Sequence, residues 1–158
     1  MQTTQGIDAR AYLSGFTQAV TGMYCADINA IPEDKWTTAM GGCTRPASEL
    51  TADALSLLSW VTNVLNGGEP GEMNQDNDAC ATKAGSIAAV QKGMENFNTA
   101  LAGASDELLN TTVTAPFGME MPVFAIAQIA VSHVWYHDGQ LNYIQSLLGD
   151  DKVHWMGD

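Results

Sequence analysis

The residues with the clearest chemical potential are two histidines, His133 and His137, in the run VSHVWYHDGQL. If this run is helical, side chains four residues apart leave one face, close enough together to hold a single metal ion. The same face continues with Ile126, Ala130, Gln140, Leu141, Ile144 and Leu148. We expect this face to point inward. Both imidazoles then need hydrogen-bond partners or a metal, because unpaired polar groups are costly to bury.

A third ligand is expected from an earlier helix. Asp53 lies three residues after Leu50 and four before Leu57, on the stripe predicted to face the core. A buried carboxylate is tolerated beside a cation and costly alone. Asp53, His133 and His137 would form a two-histidine, one-carboxylate set with open coordination positions, which is typical of catalytic or substrate-binding metals. Zn, Ni, Fe and Mn all suit such ligands.

A simpler interpretation explains the same residues without a metal. His-x3-His occurs by chance in many helices. His133 would then be a core histidine with satisfied hydrogen bonds, and His137 would be partly exposed. Asp53 would be a residue near the start of a helix, where the helix dipole favours a negative charge.

Length and charge limit the class of protein. The 158 residues predict a single domain, 1–158, with a genuine hydrophobic core. The formal net charge of −12 disfavours binding to nucleic acid or to an anionic membrane surface. No apolar run approaches the ~20 residues of a membrane span, and the first ten residues lack a secretory signal. We therefore expect a cytoplasmic protein.

The three cysteines are scattered, with no Cys-x2-Cys pair. An odd count with this spacing argues against a disulfide framework and against a zinc–thiolate site. Cys25 and Cys80 are predicted to be small buried residues, and Cys43 to lie in a loop after two glycines.

Apolar residues at helical spacing predict four helices and little strand. The predicted helices span about 7–29, 47–66, 79–101 and 122–149. In the first, the predicted apolar face is Tyr12, Phe16, Ala19, Val20 and Met23. Residues 67–78 are predicted to be a plain linker, and Ser48 a possible helix cap. The β-branched stretch within 106–121 predicts an irregular or short hairpin excursion before the last helix. The fold class is all-α, a four-helix bundle.

The closing helix also carries a family resemblance. HVWYHDGQLNYIQSLLGD, residues 133–150, resembles the last helix of the DinB-like (DinB/YfiT-type) proteins, which has His-x3-His, a basic residue and Gly-Gln-Leu. Met-Pro-Val at 121–123 follows an Ala-Pro-Phe-Gly loop, as in that family. Ser-Glu-Leu-Thr-Ala-Asp at 48–53 resembles the segment with the family's first metal ligand. The match covers the whole chain in element order, but only the last helix is specific.

The resemblance implies an up-down four-helix bundle whose metal ligands include His133 and His137. Asp53 stands where the family usually has a histidine, which changes the metal preference or weakens the site. Asp138 replaces a basic residue and removes a possible anion contact. Gln140 matches the family's glutamine, either as a hydrogen-bonding support for a ligand or as a packing residue.

Characterised DinB-like proteins include divalent-metal-dependent enzymes that use low-molecular-weight thiols such as mycothiol and bacillithiol. The resemblance therefore implies a metal-dependent enzyme of thiol S-transferase or hydrolase type, acting on a small-molecule substrate. The alternative is a non-catalytic binding or stress-response bundle with a degenerate metal site. Tyr136 and Trp135 would line the approach or simply pack. The family also implies a homodimer, and Trp155 and Met156 are expected to dock on the bundle or on a partner.

Overall fold

The computed structural model describes residues 6–155 and has the expected helical architecture. Its elements are α1 (Ala9–Ala30), a 3-10 turn (Glu33–Lys35), α2 (Ala47–Leu65), α3 (Lys83–Gly103), α4 (Asp106–Asn110), β1 (Thr112–Thr114), β2 (Glu120–Pro122) and α5 (Val123–Leu147). The predicted all-α four-helix bundle is confirmed, formed by α1, α2, α3 and α5. Within the described residues, no helix combines the length and apolar character needed to cross a membrane.

The excursion before the last helix contains the predicted hairpin. β1 and β2 pair antiparallel, with Val113 opposite Met121, and Gly118 occupies the turn with φ +83°. The short helix α4 precedes the hairpin and was not expected. Its start is capped by Ser105, whose hydroxyl accepts the Leu108 N–H.

Local chemistry sets the helix boundaries. The Asp8 carboxylate accepts the N–H groups of Arg10 and Ala11 at the start of α1. Pro46 precedes α2 without a side-chain cap, so the prediction that Ser48 caps this helix is wrong. Ser48 lies inside the first turn, and its backbone N–H donates to the Trp36 carbonyl.

The first helix runs antiparallel to α3. At one end of the bundle, the Arg10 guanidinium donates to the Ala104 carbonyl, just past the end of α3. At the other end, the Lys83 ammonium reaches the carbonyls of Asn29 and Ile31. Both α1 and α2 pack against α3 and α5.

The first helix runs parallel to α5. Phe16 packs edge-on against Trp135, with ring centroids 5.5 Å apart. Further along both helices, the Gln145 amide donates to Asp27. Early residues of α1 thus meet earlier residues of α5, and late residues meet late ones.

The connection between α2 and α3 folds back along α2. The Asn63 amide donates to the Glu69 carbonyl, the Trp60 indole to the Gly71 carbonyl, and Gln75 reaches Asp53. Residues 67–78 contain no helix or strand, as predicted for a linker, but these hydrogen bonds tie the segment to α2. Its return brings the chain back to where α2 began, so that α2 and α3 run in the same direction. The simple up-down order implied by the resemblance therefore does not hold for this pair.

The buried face of α1 differs from the predicted one. Buried positions on this helix are Leu13, Thr17, Val20, Tyr24, Asp27 and Ile28. Tyr12, expected inside, is 69% exposed, and Ala19 is also exposed. The apolar pattern misleads here because two inward positions are polar residues with internal hydrogen bonds. The Thr17 hydroxyl, for example, donates to the Leu13 carbonyl.

The apolar residues that recur at helical spacing in the other helices are buried more regularly. In α2 these are Leu50, Ala54, Leu57, Leu58, Val61, Val64 and Leu65. In α3, Val90, Met94, Phe97 and Leu101 are buried, and Ile87 is half-buried. Cys80 is buried as predicted, Cys25 is only partly so, and Cys43 is exposed.

A buried polar cluster joins the late parts of α1 and α5. Asp27 and Asp138 are both fully buried. Asp27 accepts hydrogen bonds from Asn142, Gln145 and the Trp155 indole. Trp155 therefore docks on its own bundle, one of the two expected outcomes, whereas Met156 lies outside the described residues.

Asp138 has no donor among the described residues for either carboxylate oxygen. Burial, together with the neighbouring Asp27 carboxylate, raises the pKa of Asp138 to about 8. At neutral pH its proton is retained, so that the two acids need not both be charged.

Replacing Asp138 with asparagine tests whether Asp138 keeps its proton in the folded protein at neutral pH. The unfolded chain releases the Asp138 proton near the ordinary aspartate pKa of 3.8, and the folded chain releases it only near pH 8. Between these values the folded state binds more protons, so that this group's contribution makes stability fall as pH rises. One proton corresponds to a limiting slope of about 1.4 kcal/mol per pH unit.

The asparagine in Asp138→Asn stays neutral. The free energy of unfolding of this variant, measured with urea from pH 5 to 8, should therefore lack this slope. Comparing the variant with the parent cancels contributions from other groups. Parallel stability curves for the two proteins would contradict the assignment.

Candidate metal centre

The three residues singled out by the sequence converge between α2 and α5. Asp53 lies in the second turn of α2, and His133 and His137 face it from successive turns of α5. One ligand-type atom from each residue lies within 4.8 Å of the others. α2 and α5 pack directly against each other, which brings these side chains together.

The Nε2 atoms of the two imidazoles face each other. Nε2 of His137 lies 3.0 Å from Nε2 of His133, and the rings meet edge to face. On the opposite side of its ring, Nδ1 of His137 lies 2.6 Å from the side-chain oxygen Oε1 of Gln140. A side-chain carbonyl oxygen can only accept, so that Nδ1 carries the proton and Nε2 keeps its lone pair.

Burial of the two histidines is the reverse of the metal-free interpretation. His137 is 1% exposed, whereas His133 is only half-buried. The Nδ1 atom of His133 is nevertheless buried and has no hydrogen-bond partner among the described residues. His133 is therefore not the fully satisfied core histidine that this interpretation requires.

Asp53 is held by two residues that the sequence analysis did not identify. Its Oδ2 atom lies 2.8 Å from Nη1 of Arg45 and 3.4 Å from Nε2 of His137. Its Oδ1 atom accepts a 2.8 Å hydrogen bond from the Gln75 amide. Arg45 lies just before the start of α2. A cationic residue this close to Asp53 in the sequence could have been recognised as a partner for the carboxylate. Gln75 gave no such signal, because only the backward path of its loop brings it to α2.

Both histidines are neutral at physiological pH. Burial lowers the pKa of His133, with an opposing effect from the Asp53 charge. Burial also lowers the pKa of His137, to about 4, and the neighbouring His133 contributes in the same direction. Neutral imidazoles are the form that binds metal ions.

The donor set fits a divalent cation. Two ligands held about 2.0–2.1 Å from a tetrahedral ion lie roughly 3.3 Å apart. The observed separations from Nε2 of His137 are 3.0 Å to His133 and 3.4 Å to Asp53. Two of the three separations are therefore close to the spacing that such an ion requires, and all three ligand-type atoms lie within 4.8 Å of one another.

Tyr136, rather than Trp135, is the exposed aromatic residue beside the candidate metal centre. Tyr136 is 62% exposed, its ring meets the His137 ring at 5.2 Å, and its hydroxyl accepts a hydrogen bond from Gln140. Trp135 packs against Phe16 of α1 instead. Asp138, at the position where the family has a basic residue, belongs to the buried cluster with Asp27.

The hydrogen bond between His137 and Gln140 predicts a single tautomer. In metal-free protein, nitrogen-detected NMR of the imidazoles should show the His137 proton on Nδ1. Gln140→Leu removes the acceptor and should abolish that preference. Gln128→Leu makes the same change at an exposed position earlier on α5 and should have no effect. Identical His137 nitrogen shifts in all three proteins would contradict the assigned bond.

Comparison with known proteins identifies the fold. No protein-family model and no curated protein sequence matches the chain. A DinB-like protein of Bacillus subtilis, YjoA, superposes with a TM-score of 0.70 at 17% identity, covering 90% of this chain and 94% of that one. A structure from Exiguobacterium sibiricum assigned to the DinB family gives a TM-score of 0.68 at 16% identity, covering 94% and 97%. The chain therefore has the all-α fold of the DinB-like proteins.

Proposed function

We propose that the chain is a DinB-like protein that binds one divalent metal ion through Asp53, His133 and His137. The proposed activity is that of a metal-dependent enzyme of thiol S-transferase or hydrolase type, acting on a small molecule in the cytoplasm. A low-molecular-weight thiol is the proposed co-substrate. Zn, Ni, Fe and Mn are the metals compatible with the ligand set.

The observation that supports this proposal is the convergence of three ligand-type atoms. Two neutral histidine nitrogens and an Asp53 carboxylate oxygen lie within 4.8 Å of one another between α2 and α5. Only three protein ligands are present there among residues 6–155, which leaves room for a substrate atom, as in catalytic rather than structural zinc sites. Structural likeness to DinB-like proteins is consistent with this function but supports the fold alone.

A metal ion held there would lower the pKa of a thiol or a water molecule that binds it. The protein's own residues prepare the ligands for this role. Gln140 fixes the His137 ring with Nε2 facing inward, and Gln75 and Arg45 orient the Asp53 carboxylate. Tyr136, exposed beside His137, would contact a substrate as it enters.

The alternative is a non-catalytic bundle whose metal site is degenerate. Two observations favour it: the Asp53 charge is already balanced by Arg45, and the two histidines already lie at hydrogen-bond distance from each other. A site that is satisfied in this way does not require an ion for its stability. Metal content distinguishes the two proposals.

Elemental analysis of protein purified without chelator or affinity nickel should give about one equivalent of metal. His133→Ala and Asp53→Ala should each lose it, because both remove a ligand from a three-ligand site. His154→Ala is the matched control, since that histidine pairs with Asp150 and lies outside the site. Loss with His133→Ala alone would remove Asp53 from the ligand set. A parent free of metal after reconstitution with Zn, Ni, Mn and Fe(II) would favour the degenerate bundle.

We also propose that the chain forms a homodimer. Large apolar side chains are exposed on the neighbouring helices α1 and α5, among them Tyr12, Ile129 and Trp135. Such groups are commonly covered by a partner. Size-exclusion chromatography with light scattering at micromolar concentration should give twice the chain mass of 16.8 kDa. A monomer at that concentration would contradict the proposal.

A further inference from the structure

Arg45 is the cation nearest the candidate metal centre. Its Nη1 atom lies 2.8 Å from Asp53 Oδ2, and its side chain is 41% exposed. Its positive charge also contributes to lowering the pKa values of His133 and His137. The remaining cationic side chains are engaged elsewhere: Arg10 with Asp106, Lys35 with Asp34, Lys83 with two carbonyls, Lys92 with Glu95, and Lys152 beside Asp150.

The guanidinium has more donors than Asp53 uses. Arginine carries five N–H groups in a planar fork, and the contact with Asp53 engages Nη1. Among residues 6–155, this side chain meets no other acceptor. A half-exposed guanidinium with free donors is well suited to bind a carboxylate through two parallel hydrogen bonds.

Charge balance indicates what kind of ligand the loaded site would accept. Two neutral histidines, one carboxylate and a divalent ion leave one net positive charge. Arg45 adds a second. In the absence of the ion, Arg45 and Asp53 cancel each other. The loaded site therefore complements a ligand with two negative charges, one on the atom that meets the metal and one within reach of Arg45.

A shared atom couples the two binding events. Asp53 Oδ2 is both the acceptor for Arg45 and the carboxylate oxygen nearest to His137. A cation held at this oxygen would compete with Arg45 for the same negative charge. The guanidinium donors would then be available to a ligand bound beside the cation.

From these observations we infer that Arg45 recognises the carboxylate of an anionic substrate whose other end, a thiol or a metal-bound group, occupies the open coordination position. The inference rests on the proposed metal-binding function and names the substrate class of that same site. Arg45 is a specificity-determining residue in this assignment.

Cobalt substitution tests the assignment without measuring activity. The Co2+-loaded protein is titrated with 3-mercaptopropionate and with its neutral amide, 3-mercaptopropionamide, and binding is followed by the absorption of the cobalt ion. Both probes present the same thiol, so that only the charge at the far end differs. The carboxylate should bind about ten-fold more tightly, as a charge-assisted hydrogen bond predicts.

Variants of Arg45 separate recognition from simple support of Asp53. Arg45→Gln should make the affinities of the two probes equal, because it removes the charge that distinguishes the carboxylate from the amide. Arg45→Lys should retain part of the preference, because the charge remains but the fork is lost. Lys92→Gln removes the same charge from an exposed site on α3 and should behave like the parent.

Two results would overturn the assignment in distinguishable ways. Equal affinity of the Co2+-loaded parent for both probes, or Arg45→Gln weakening Co2+ and both probes alike, would eliminate Arg45 as the recognition residue and leave the metal site intact. Failure of the parent to bind Co2+ at the site removed by His133→Ala would overturn the proposed function, and this inference with it.

Discussion

Compensation of the partly buried Asp53 carboxylate is the constraint on which the site depends. A charge in this position must be paired, and two different parts of the chain provide the partners. Arg45 comes from the segment before α2 and Gln75 from the returning loop. Nε2 of His137, from α5, lies 3.4 Å from the same carboxylate but carries no proton and does not offset its charge. The Gln75 and His137 contacts are local in space but distant in sequence, so that the site forms only when the bundle is assembled. The same contacts orient the carboxylate toward the histidines.

Helix α5 contributes adjacent residues to two separate polar regions. His137 faces α2 and the candidate metal centre, whereas Asp138 contributes to the cluster with Asp27 of α1. Successive residues on a helix point about 100° apart, since 3.6 residues make one turn. This part of α5 is therefore fixed on two sides by polar contacts. Rotation of the helix about its axis would break both at once, which favours a rigid placement of the His137 ring.

Much of the fold could be predicted from the sequence, because the apolar spacing in α2, α3 and α5 is regular. The pattern failed in α1, where inward positions are occupied by Thr17 and Asp27. Their burial depends on hydrogen bonds that no hydrophobicity pattern encodes. The candidate ligands Asp53, His133 and His137 lie close together, since each is on a face that packs against a neighbouring helix, and their role as ligands stays a prediction. Gln75 could not be predicted, because its position depends on the path of an irregular loop.

The contacts of Asp27 have a consequence for the order in which the chain can fold. Its partners Gln145 and Trp155 lie 118 and 128 residues later in the sequence. During synthesis, α1 leaves the ribosome long before either partner exists. Its buried carboxylate must remain hydrated until nearly the whole described chain has emerged, because unpaired burial is too costly. The pairing of α1 with the end of α5 is therefore a late event in biogenesis, and nascent chains truncated before Gln145 should leave the Asp27 region of α1 accessible to chaperones.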